Sequence, residues 1–76
     1  MINEHERVAL TTALPEEGLV PGDVGTVVHV YADGLGYEVE FVALDGHTAA
    51  VITVEARCLR AVAPAEIPHA RQLHVA

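Results

Sequence analysis

The stretch LPEEGLVPGDVGTVVHVY, Leu14 to Tyr31, decides how this chain folds. Its first ten residues are turn chemistry. Pro15 and Pro21 cannot donate to a strand ladder, which removes a central strand between them. Gly18 and Gly22 accept the positive φ angles that tight reversals need. A long folded loop over Ala13 to Asp23 is therefore expected, with Leu14 and Leu19 or Val20 turned inward and Glu16 and Glu17 at its tip. Val24 to Tyr31 then reads as the strongest strand in the chain. Gly25 inside it marks a bulge or a close backbone approach. Beyond Gly25, Val28 and Val30 are expected on one face, with Val27, His29 and Tyr31 on the other.

Outward from this unit, Arg7 to Thr11 is a short strand with Val8 and Leu10 on one face and Arg7, Ala9 and Thr11 on the other. Met1 to Glu6 shows no period and is expected to fray. On the other side, Asp33-Gly34 centres a turn. Tyr37 to Phe41 alternates cleanly, with Tyr37, Val39 and Phe41 inward and Glu38 and Glu40 outward. Asp45-Gly46 makes a second turn, and Thr48 to Val54 follows as a strand apolar on both faces. Ala50, Ile52 and Val54 form one face, and Ala49, Val51 and Thr53 the other. Such a strand is either sandwiched or offers one face to a partner. Glu55 to Leu59 suits one helical or 3₁₀ turn, and Leu59 to Val62 a closing strand. From Ala63 onward Pro64 and Pro68 punctuate the chain, no period survives, and an extended or flexible tail is expected.

Five short strands with one long loop after the first make this an all-β chain. The layout is that of a small five-stranded SH3-like barrel over residues 1–62 with an irregular C-terminal tail over 63–76. An OB-fold would call for longer strands and a helix before the fourth, for which there is no room.

A chain of 76 residues holds one domain. It buries only roughly 60% of the surface its unfolded chain exposes, so its stability rests on a tight core or on a partner. The lone cysteine, Cys58, excludes an internal disulfide and a cysteine zinc site. Ala and Val dominate a hydrophobic fraction of 51%, and Tyr31, Tyr37 and Phe41 are the aromatic residues. Small side chains fill a narrow barrel but make poor stacking platforms for bases. Four arginines and no lysine stand against eleven acids, for a net charge of −7 and a pI near 4.9. Nucleic-acid binding is therefore not expected, since phosphates are held by clustered Lys and Arg. No apolar run reaches the roughly 18 to 20 residues of a membrane span, and the polar N-terminus has no signal-peptide pattern. A cytoplasmic protein is the expectation.

Residues that carry chemistry elsewhere do not form a constellation here. His5, His29, His47, His69 and His74 fall in separate segments without metal-ligand spacing. Cys58 sits between Arg57 and Leu59, where a thiol packs as a small hydrophobe. Glu16 and Glu17 on a loop tip lack the desolvation that general acid–base work needs. No catalytic residue, cofactor or metal is expected. The acidic and unpartnered apolar positions are instead candidate partner contacts: Glu16, Glu17, Glu38, Glu40, Val51, Ile67 and Leu73.

With Gly-Asp-x-Gly-Thr-Val-Val following a Leu-Pro and acidic-Gly-Leu turn, and then Tyr-Glu-Val-Glu-Phe, Asp-Gly and a closing Leu-Arg, the chain resembles a bacterial family. This is the domain of unknown function 4926, matched over Val8 to Val62. The resemblance implies an SH3-like barrel without established catalytic residues. It also implies members encoded beside small partner genes, with roles in toxin–antitoxin or immunity pairs. Gly22 to Val30 is also similar to the KOW element of ribosomal proteins and transcription factors, whose RNA-binding members are basic, as this chain is not. The expected function is a non-catalytic protein-interaction module, in its most concrete form an antitoxin or immunity-like partner of a small bacterial protein. The alternatives are a homo-oligomeric structural module and a KOW-like RNA-associated domain.

Overall fold

A computed structural model of the chain describes residues 2–73. It contains five strands, β1 (Arg7–Leu10), β2 (Val24–Val30), β3 (Gly36–Val42), β4 (Thr48–Glu55) and β5 (Leu59–Ala61). Two 3₁₀ turns join them, Pro15–Glu17 in the long loop and Ala56–Cys58 between β4 and β5. All pairings are antiparallel in one sheet of order β4-β3-β2-β1-β5. The expected five-stranded all-β fold, with its long loop after the first strand, is what the chain forms. The end strands β4 and β5 do not pair with each other, so the barrel is open.

β2 is the hinge of this sheet. Its first half pairs with β1 through Val24, Gly25 and Thr26, and Thr26 to Val30 pair with β3. A single strand thus serves both halves, and the sheet bends over one core of Val8, Leu10, Leu19, Val27, Tyr37, Val39, Phe41, Val54 and Leu59. Every strand contributes to that cluster, and Leu19 enters it from the long loop.

At Gly25 there is no room for a side chain. A Cβ there would lie 2.5 Å from Val39 Cγ1, 2.9 Å from the Glu40 carbonyl oxygen and 3.0 Å from Phe41 Cδ1. The close approach expected at Gly25 is therefore present, but the bulge lies further along, where the β2–β3 register shifts between Val27 and His29. This corrects the expected facing of β2. The extra residue at Val28 resets the alternation, so Val27 is buried and Val30 also packs against the core, while Val28 is exposed. β3 follows its expected alternation, with Tyr37, Val39 and Phe41 buried between half-buried Glu38 and Glu40. On β4, Ile52 and Val54 face the core while Ala49, Val51 and Thr53 are exposed.

The long loop is folded as its composition requires. Leu14 bridges Leu19, and Leu19 is the residue tucked into the core while Val20 stays outside. Gly18 ends the 3₁₀ turn at φ 70°, a left-handed conformation that glycine adopts without strain. Ala9, on the strand face opposite Val8 and Leu10, is also buried, at 1% exposure. One departure concerns the segment that precedes β1. The segment before β1 is tied rather than frayed: the His5 amide donates to the Val27 carbonyl at 2.7 Å and the Val27 amide to the Glu6 carbonyl at 2.9 Å. Glu6 also accepts from the Asn3 side chain, and Ile2 packs on the core. The part of that expectation concerning Met1 lies outside the described residues.

Replacing Gly25 by alanine should cost about 1–3 kcal/mol, because the contacting atoms include a backbone carbonyl that cannot turn aside. Urea unfolding measures it, and a change within about 0.5 kcal/mol would show that the crossing is looser than described.

Candidate functional site

The outer face of β2, β3 and β4 gathers three of the candidate partner contacts by register alone. Glu38 lies beside His29 on one side and Thr53 on the other, and Glu40 beside Thr26 and Val51. Period-2 alternation brings these side chains to the same face. Glu38 Oε1 accepts from the Thr53 hydroxyl at 2.7 Å and from the Tyr31 hydroxyl at 3.0 Å. Glu40 Oε2 accepts from the Thr48 hydroxyl at 2.8 Å. The His29 ring meets Tyr31 edge-on at 4.8 Å between centroids. These neutral donors orient both carboxylates without cancelling their charge. Val51, 49% exposed, stands directly beside Glu40 on the edge strand.

The remaining candidates lie elsewhere. Glu16 and Glu17 are exposed in the 3₁₀ turn of the long loop. Glu17 and Leu73 both line an open groove of about 870 Å³ bounded by the long loop, the β3–β4 hairpin and the tail from Pro68 to Leu73. Ile67 stands 88% exposed on the tail. The groove's lining reaches the sheet face through Thr48, which donates to Glu40.

The described residues of the tail have no regular secondary structure, yet two arginine–carboxylate pairs hold it. Arg60 makes a bidentate pair with Glu66, both bonds 2.7 Å, and the Ala63 amide donates to the same carboxylate at 2.6 Å. Further on, Arg71 Nε donates to Asp23 Oδ1 at 2.8 Å and Nη2 to Asp23 Oδ2 and to the Gly18 carbonyl at 2.9 Å. The Val20 amide donates to Asp23 Oδ2 at 2.9 Å. Burial pulls the Asp23 carboxyl upward, but the Arg71 guanidinium and the Val20 amide outweigh it and hold the pKa below its usual value. Arg60, with the Ala63 amide, takes Glu66 from its usual 4.5 to about 2.

Sequence reasoning missed the Arg71–Asp23 pair. Asp23 belongs to a Pro-Gly-Asp turn, and Arg71 lies 48 positions away in a segment without period. The signal within reach was chemical: a lone cation in a proline-punctuated tail, and few cations for many acids. Cys58 is half-buried against the core, as its reading as a small hydrophobe anticipates. Among the described residues no three His, Cys, Asp or Glu side chains cluster to hold a metal ion. His74 lies outside them. No described helix is long and apolar enough to cross a membrane.

Depressed carboxylate pKa values stabilise above the unfolded values and lose that contribution as pH falls through the folded ones. The contribution of the Arg60–Glu66 pair should thus be lost as pH falls from about 4.5 to about 2, and that of the Arg71–Asp23 pair only as pH falls below the ordinary carboxylate range. The Nη–H resonances of Arg60 and the Nε–H resonance of Arg71 followed by NMR report this, and their loss well above pH 5 would contradict it.

No curated protein and no solved structure matches this chain. A family match does exist, over residues 4–61, a range that includes all five strands, the long loop, Glu38, Glu40, Val51 and Asp23 but not the tail that carries Arg71. Covering most of the chain, that match makes it a member of the family described as domain of unknown function (DUF4926).

Proposed function

We propose that this chain is a non-catalytic protein-interaction module, a small SH3-like open barrel acting as the antitoxin or immunity-like partner of a small basic bacterial protein in the cytoplasm. The observation that carries this reading is the oriented acidic face of β3 with exposed Val51 beside it. Glu38 and Glu40 are held in place by hydroxyl donors while keeping their charge, and an apolar contact adjoins them. Opposite charge on a partner steers encounter and fixes register, and the apolar residue supplies area removed from water. Charge bookkeeping within the fold supports a protein partner over RNA. Arg57, Arg60 and Arg71 are each engaged by a carboxylate, which leaves little cationic surface for phosphates.

A homo-oligomer is the second reading, and one observation favours it. β4 is eight residues long and has a neighbouring strand on one side only, so its outer edge is open to pairing with another chain. Sedimentation at micromolar concentration decides it: a monomer throughout removes this reading.

For the first reading, tagged protein recovered from its native host should bring down a stoichiometric basic partner that leaves as salt is raised. The Glu38→Lys/Glu40→Lys variant should weaken capture by about tenfold or more. Absence of any stoichiometric partner across the salt series, or full capture by the reversed variant, would overturn the proposal.

A further inference from the structure

Asp23 occupies an unusual position for an acidic residue in so acidic a chain. Its side chain is 17% exposed and its partner Arg71 28% exposed, whereas the other ion pairs lie further out in solvent. The carboxylate is aimed from within the loop, where the Val20 amide fixes one oxygen. Beside it the Gly18 carbonyl points the same way, so three acceptor oxygens converge on one guanidinium. That set suits the planar fork of arginine, which forms parallel bonds to a carboxylate while a further N–H reaches a carbonyl. A lysine ammonium is a point donor and does not match it.

The acceptors and the donor have different origins. Gly18, Val20 and Asp23 all lie inside the family domain of residues 4–61, and Arg71 lies outside it. Next to the acceptors runs the groove, with Leu19, Val24, Phe41 and Leu44 among its apolar lining. An extended peptide lying there would place an arginine on Asp23 and apolar neighbours against these walls, as the segment Pro68 to Leu73 already does from one side.

We propose that Asp23 and the Gly18 carbonyl form a guanidinium-recognition site for an arginine-bearing extended peptide, occupied here in cis by Arg71 of the chain's own tail. A partly exposed ion pair holds such a tail weakly, so an incoming arginine can displace it. The tail acts through its high local concentration and sets a threshold that a partner's arginine must exceed. This rests on the reading of the domain as an interaction module, and it names the chemistry of the contact. Its test uses a peptide rather than the partner, so its failure would leave capture through Glu38 and Glu40 standing.

The experiment uses the full chain as wild type and as Arg71→Ala, titrated with a capped peptide of sequence Pro-His-Ala-Arg-Gln-Leu and with the same peptide carrying citrulline for arginine. NMR amide shifts are the readout, and retained dispersion shows that each protein is folded. Arg71→Ala should bind the arginine peptide about tenfold or more tighter than wild type, with shifts at Gly18, Val20 and Asp23. Citrulline, which keeps the shape and loses the charge, should weaken binding about tenfold or more. Equal binding of the two peptides to Arg71→Ala, or shifts confined to residues away from the long loop, would overturn the proposal. A wild-type dimer that dissociates on Arg71→Ala would also overturn it, by placing the arginine on a second copy.

Discussion

The missing side chain of Gly25 is the constraint on which the rest of the structure depends. At that point β2 runs so close to β3 that a methyl group would meet Val39, Phe41 and the Glu40 carbonyl together. The approach lets one strand pair with β1 by its first residues and with β3 by the remainder. Two short antiparallel units are thereby folded onto a common core. A two-stranded hairpin alone is marginal in water, and a domain this small has little apolar surface to spare. Joining both halves through β2 lets Val8 and Leu10 from one side share a core with Val39 and Val54 from the other.

The long loop completes that core and also builds the surface beside it. Leu19 plugs in between the Leu14 bridge and the Asp23 turn, so the backbone around it is held from both ends. The Leu10 amide donates to the Asp23 carbonyl at 2.9 Å, and the Gly22 amide to the Leu10 carbonyl at 2.8 Å. Burial of an apolar residue thus fixes the direction of a carboxylate a few residues away. Packing and the placing of the Asp23 carboxylate share the same loop, which explains how a chain with so small a core can present a pre-oriented acid.

Much of this was legible in the residues. The turns at Asp33-Gly34 and Asp45-Gly46, the alternation of Tyr37 to Phe41 and the inward Ile52 and Val54 follow from local pattern, and the strands lie close to where that pattern puts them. The acidic sheet face was legible for the same reason, because alternation alone assigns Glu38, Glu40 and Val51 their sides. What escaped was set by tertiary geometry. A bulge at Val28 inverts the facing of everything after it and leaves no mark in composition. Burial of Ala9 and capture of His5 by Val27 depend on neighbours distant in sequence. The meeting of Arg71 with Asp23 depends on the path of a tail that has no period to read.

The fold thus presents an inner core face, an outer acidic face on β3, and a loop-lined groove whose acid is met by the chain's own tail. All three depend on the two halves of the sheet behaving as one cooperative unit through β2. Native-state hydrogen exchange across a denaturant series tests that most directly. The account predicts that the slow amides of β1 and of the β3–β4 hairpin converge on one global unfolding transition with the same denaturant dependence. Exchange of the β3–β4 hairpin through its own smaller opening, with β1 still protected, would contradict it.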